Sequence, residues 1–129
     1  MPLSFHPTPG AVVICDFSTG FLPPEMVKVR PVVVISPRRR VGQLATVVPL
    51  SSTAPQPVEP WHYALPPGAY PPARGTIWAK CDMVATVGLH RLDRVKIKQG
   101  GSRTYHVFQL RQTDLAAILA GVKAALGLP

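Results

Sequence analysis

Arg30 stands directly before Pro31, at the start of the run RPVVVIS (30–36), where the valines crowd together. A guanidinium keeps its charge and can grip two oxygens of an anion at once. Pro31 has no N–H for a ladder and holds Arg30 extended. Further on, Lys80 and Asp82 flank Cys81 in WAKCDM. Alternate side chains of a strand share a face, so Lys80 and Asp82 are expected to face one groove while Cys81 turns to the core. Ser51 and Ser52 close the run VVPLSS, at a strand end, where functional loops join a rigid scaffold. A fixed cation, a carboxylate and a hydroxyl are parts for proton transfer and charge stabilisation. Each has a plainer reading too. Lys80 with Asp82 could be a solvated pair worth under about 1 kcal/mol. Ser51 could simply bond backbone in its own turn.

The charge says what such groups would act on. Fourteen Lys and Arg against six Asp and Glu leave +8, which favours an anionic partner, a nucleic acid or an acidic protein. Hydrophobic content of 47% with 16% charged residues describes a folded chain. Its 129 residues are expected to form a single domain over 1–129. No apolar run approaches the roughly 18 residues of a membrane span. MPLSFHPTPG has no basic segment leading into an apolar one. The expectation is a cytoplasmic protein with no membrane partner. Cys15 and Cys81 make neither a disulfide framework nor a metal spacing and read as small buried hydrophobes. The sequence lacks a glycine-rich phosphate loop and a GxSxG elbow, and His6, His62, His90 and His106 are scattered. Six acidic residues leave little room for a two-metal site. Any enzymatic chemistry is expected to need no metal and no cofactor.

Sixteen prolines and ten glycines punctuate short valine-rich runs that must position these groups. AVVICDF, RPVVVISP, LATVVPL, WHYAL, TIWAKCDMVATV and TYHVFQL read as strands, the fifth the longest. QGGSR reads as a hairpin turn, and HRLDRVKI as a turn or a short helical piece. Only the end reads as a helix. Thr113 can cap it and Asp114 suits its first turn. Leu115, Ile118, Leu119, Val122 and Leu126 fall at helical spacing, and Gly127 terminates it. The fold class is therefore mainly β with a C-terminal helix packed on a small bent sheet or partly open barrel.

VRPVVVIS, VVPLSS and WAKCDMVATV…RLDRV, in that order after the opening GAVVICDF, resemble the PemK/MazF family of toxins from type II toxin–antitoxin systems. The ordered blocks run over residues 10–95, and the final helix fits as well. The resemblance implies an SH3-like β-barrel, usually a homodimer. It implies a metal-independent endoribonuclease that cuts single-stranded RNA at short sequences, leaving 2′,3′-cyclic phosphate and 5′-hydroxyl ends, and that an acidic antitoxin neutralises. Carried over residue by residue, the family's RP arginine is Arg30, its hydroxyl residue after the third-strand proline is Ser51, and its aspartate is Asp82. The basic residue two before that aspartate is Lys80. A glutamate that some members carry five before the arginine is Glu25. Three positions depart: Ala11 follows Gly10 where the family has aspartate, Pro24 stands where some members have histidine, and Lys80 replaces arginine.

On this resemblance Arg30 would hold the phosphate and serve as a possible acid. Ser51 would hydrogen-bond the phosphate or orient the nucleophile. Asp82 would be the base, with Glu25 the alternative, and Lys80 would help neutralise charge. Arg38, Arg39 and Arg40 would track the RNA backbone if they are more than a solvated turn. Ser52 joins the RNA-contacting set. Phe21, Trp61 and Tyr70 are candidates to stack bases, Trp61 being equally placed to be core. The alternative is a weakened family member that binds RNA or antitoxin without cutting.

Overall fold

The computed structural model describes residues 2–38 and 42–129, so Arg39 and Arg40 lie outside the described residues. Strands β1 (Ala11–Asp16), β2 (Val29–Val34) and β3 (Leu44–Ser51) lie antiparallel with β2 in the middle. Val32 and Val34 enter one apolar core, together with Val13, Cys15, Phe17 and Val47. Val33 enters the other, with Val48, Leu50, Cys81 and Ile118. A strand buried on both faces needs a continuous apolar run, which is why three valines stand here in succession. Burying each is worth about 1.5–3 kcal/mol.

The sheet continues past β3 to β5 (Trp78–Lys80) and β4 (His62–Ala64), and past β1 to β10 (Phe108–Gln109). β6 (Ala85–Gly88) also pairs with β3, and β7 (Leu92–Asp93) with β1. This is the mainly β fold with a C-terminal helix that the sequence predicts. The path of pairings is open, ending at β10 on one side and β4 on the other.

Three runs depart from the sequence reading. TYHVFQL breaks at Val107, between a strand that ends at His106 and β10. TIWAKCDMVATV is not one strand: β5 ends at Lys80, Cys81–Met83 form a 3-10 turn, and β6 begins at Ala85. Both halves still pair with β3, Leu50 facing Ala79 and Val47 facing Ala85. Residues 81–84 therefore bulge out beside Val48. HRLDRVKI likewise splits into a 3-10 turn (Leu89–Arg91), β7 and the start of β8 (Val95–Gln99). The strand beside β1 is itself interrupted. Leu92 and Asp93 pair with Cys15 and Ile14, while Phe108 and Gln109 pair with Val12 and Ala11. Between them residues 94–107 leave the sheet as a hairpin of β8 and β9 (Ser102–His106). Its turn is Gly100 and Gly101, both at positive φ (53° and 84°), as a two-residue hairpin of this hand requires.

Helix α1 (Gln112–Leu126) packs Leu115 and Ile118 onto the second core and ends at left-handed Gly127, as expected. Its start is not capped by Thr113. Arg111 is the N-cap, with no side-chain cap bond. The carbonyl of extended Arg111 already accepts the N–H groups of Asp114 and Leu115, which sets Thr113 inside the first turn. Buried Asp114 accepts a hydrogen bond from the Tyr63 hydroxyl at 2.8 Å, tying α1 to β4 and pushing the Tyr63 pKa up. Leu119 and Leu126 are 38% and 58% exposed rather than docked. Leu119 is turned about 100° from Ile118 and falls on the flank of the docked stripe.

Candidate active site

Arg30 pairs with Cys15 of β1 and shares its face of β2 with Val32 and Val34, toward the first core. Val32 faces Pro49 of β3, and two residues on the same register sets Arg30 across from Ser51. Val48 and Leu50 point to the second core, so Pro49 and Ser51 share the face of Arg30. Leu50 faces Ala79, which sets Lys80 across from Pro49, again on that face. Arg30, Ser51 and Lys80 thus come together on one side of three adjacent strands. The Nε of Arg30 is buried and has no hydrogen-bond partner among the described residues. A buried donor left unmatched costs free energy that a bound acceptor would return.

Asp82 reaches the same side by a route the alternation argument does not describe. It belongs to the 3-10 turn, not to a strand with Lys80. The turn exists because Cys81 docks on α1 at Gly121. A methyl group on Gly121 would lie 2.8 Å from the Cys81 Sγ and 3.2 Å from the Trp61 carbonyl oxygen. With Cys81 drawn to the helix, Asp82 is extruded toward a hollow of about 270 Å3 that Phe17, Phe21, Glu25 and Met26 also line. Phe17, Phe21 and Met26 belong to or pack on the first core, so the hollow opens on the Arg30 side of the sheet.

The two carboxylates of the hollow are differently engaged. A Glu25 oxygen accepts the Leu22 N–H at 2.8 Å, while the Glu25 N–H donates to the Leu22 carbonyl. Its carboxylate closes its own turn. Asp82 is 44% exposed, with the Nε2 of His62 4.0 Å from its Oδ1. The Nδ1 of His62 accepts the Glu59 N–H at 2.9 Å, so in the neutral ring the proton sits on Nε2, facing Asp82. Sequence spacing does not find His62. The signal is the pairing of β4 with β5, which sets His62 opposite Lys80.

Ser51 is buried, and its hydroxyl oxygen accepts the Thr53 N–H at 3.1 Å, the plainer bond weighed for it. Ser52 is exposed next to it. Phe21 packs edge-on to Phe17, with the Arg91 guanidinium 4.8 Å over its ring. Arg91 also donates to the carbonyls of Asp16 and Thr19, pinning the loop that carries Phe21 and Glu25. That role has no sequence signature. Trp61 and Tyr70 pack on the second core, on the helix side, so neither joins the Arg30 face. Arg38 follows the far end of β2 and donates to the His6 carbonyl. It does not join Arg30.

No curated relative matches the chain in sequence. Solved structures match in fold. MazF from Deinococcus radiodurans superposes with a TM-score of 0.73 at 19% identity, over 97% of this chain and 100% of that one. An endoribonuclease from a Mycobacterial species, in complex with its cognate antitoxin, gives 0.66 at 22% identity over 96% and 98%. The MazE–MazF complex from Deinococcus radiodurans gives 0.65 at 18% identity over 98% and 100%. Residues 8–126 match the model of the PemK-like, MazF-like toxins of type II toxin–antitoxin systems, and the chain belongs to that family.

Proposed function

We propose that the protein is an endoribonuclease toxin that cuts single-stranded RNA without a metal. Cleavage leaves a 2′,3′-cyclic phosphate and a 5′-hydroxyl. An acidic antitoxin covers the same face, and the toxin acts as a homodimer. The observation that carries the reading is the unmatched, buried Arg30 Nε, on one face with Ser51 and Lys80 and on the same side of the sheet as the Asp82 hollow.

The reaction divides among these groups. Asp82 takes the proton of the 2′-hydroxyl, whose oxygen attacks phosphorus as the bond to the 5′-oxygen breaks. Proton transfer by a placed side chain contributes about 10²–10⁴-fold. Arg30 binds the non-bridging oxygens, its Nε gaining the acceptor it lacks among the described residues. As the acid it gives a proton to the departing 5′-oxygen, and solvent restores that proton. His62, 4.0 Å from the Asp82 carboxylate, would orient it by closing to a hydrogen bond as RNA seats. Lys80 adds charge but not the planar fork of an arginine. Phe21 offers its ring at the edge of the hollow to an unstacked base.

The test is digestion of a long mixed-sequence RNA in EDTA, with the product ends identified. Cyclic-phosphate ends, reduced by about 10²–10³ in a folded Arg30→Ala variant, are expected. Absence of product, or product indifferent to Arg30, overturns the reading. A binding module that grips RNA without cutting is the second reading, favoured by the three positions where the sequence departs from the family, Ala11, Pro24 and Lys80. Salt-dependent RNA binding with no product would establish it instead.

A further inference from the structure

The β8–β9 hairpin is the part of the molecule that the proposed chemistry leaves unused. Across it Lys96 faces Tyr105 and Lys98 faces Arg103. Residues two apart on a strand share a face, and so do direct cross-strand partners. Lys96, Lys98, Arg103 and Tyr105 therefore make up one side of the ribbon, and all four are exposed, Tyr105 by 57%. From Arg94 to Thr113 the chain carries no acidic residue to balance them. At the tip a hollow of about 230 Å3 opens between Lys98 and Arg103, floored by the two turn glycines.

Stability does not account for this face. A two-stranded ribbon is marginal at best, and like charges directly opposite each other weaken it further. Lysine on an open ribbon does guard against pairing with other chains. The lysines alone would serve that purpose. It gives no role to an arginine facing Lys98 or to an aromatic ring held in water. Cations interleaved with an aromatic ring are what a single strand of nucleic acid needs, the cations for phosphates and the ring for a base. An acidic protein would also be drawn to the charges, and the salt slope and the polyglutamate control below separate the two.

The arm is also well placed. Arg30 pairs with Cys15, and Cys15 with Leu92, two residues before the arm departs. At about 4.8 Å per strand, its root lies roughly 10 Å from the strand of Arg30.

We propose that the β8–β9 hairpin is an RNA-binding arm, gripping single-stranded RNA outside the cleaved bond through Lys96, Lys98 and Arg103 on phosphates and Tyr105 on a base. This rests on the ribonuclease reading for its substrate. The test measures binding of a labelled 2′-O-methyl RNA of about 20 nucleotides, long enough to leave one site and reach another. Lacking the 2′-hydroxyl, this RNA cannot be cut. The full chain is titrated across a range of salt, and thermal melting checks that each variant is folded. The Lys96→Ala, Lys98→Ala, Arg103→Ala triple variant is expected to bind at least about tenfold more weakly at low salt. Its slope of log affinity against log salt should be shallower by about 2. Tyr105→Ala is expected to lose about tenfold with its slope unchanged. Wild-type affinity and slope in the folded triple variant overturn the proposal, as does a wild-type protein that does not bind this RNA. Loss of binding to polyglutamate with RNA binding intact overturns it in favour of an acidic protein. Cutting of unmodified RNA and its dependence on Arg30 are read separately, so the arm can fail while the ribonuclease stands.

Discussion

Among the described residues the buried N–H of Arg30 Nε has no partner, which costs stability in the free protein. Function and stability should therefore move in opposite directions there. Arg30→Met keeps the reach and removes the donor. It is expected to raise stability by about 1 kcal/mol in urea unfolding while cleavage falls by at least about 10². A less stable variant would show that the guanidinium is matched after all. The carboxylates should separate as well. Asp82→Asn is expected to cost about 10²–10⁴ in cleavage rate. Glu25→Gln, whose carboxylate already closes the Leu22–Glu25 turn, should cost less than about tenfold by the same measure. The reverse order would make Glu25 the base. The cysteines take no part. Burial pushes the Cys15 thiol up to about 12 and the Cys81 thiol up to about 11. Below the ordinary thiol range both states keep these protons. Above pH of about 9 the unfolded chain releases them and the folded one does not, so stability should fall as pH rises further. A disulfide exchange reagent at pH 8 should find no reactive thiol until denaturant is added.

Among the elements, the 3-10 turn at Cys81–Met83 decides where Asp82 points, and Gly121 on α1 decides whether the turn can form. Gly121→Ala would gain up to about 1 kcal/mol of helix propensity on an open helix. Here the added methyl meets Cys81 and the Trp61 carbonyl, and overpacking of this kind costs about 1–3 kcal/mol. Net destabilisation in thermal unfolding is expected, with a loss of cleavage because the turn carrying Asp82 moves. Unchanged activity would show that Asp82 is not positioned from the helix. This is also where the sequence stops being readable. The valine run, the GlyGly turn and the Gly127 stop are local chemistry, and each stands where its residues predict. The break in WAKCDM has no local cause, since its alternation is that of a strand. Its cause lies far along the chain, in one small helix residue. His62 is hidden for the same reason: only the pairing of β4 with β5 brings it to Asp82. The shared face of Arg30, Ser51 and Lys80 is legible because these residues ride on strands whose register follows from the apolar pattern.

For the molecule as a whole, the arm is an addition to a sheet that is continuous without it. Asp93 faces Ile14 and Phe108 faces Val12, so a single residue in place of 94–107 would fill the position opposite Val13. That shortened chain is expected to fold, with cooperative melting. It should also cut a short RNA at near the full rate while losing its advantage on long RNA. Failure to fold would mean that buried Val95 anchors more than its own hairpin. A different consequence follows from the central place of β2. Its backbone amides at Val32 and Val33 lie between two partner strands, so they should exchange with deuterium only when the sheet opens globally. The Leu22–Glu25 turn lies outside the sheet, held by its own two bonds and by Arg91 on the loop before it. It is therefore expected to open locally and exchange sooner than β2. The phosphate anchor and the wall of the hollow would then move on separate clocks. An incoming strand would wait for the loop to breathe, and would find the arginine already in place.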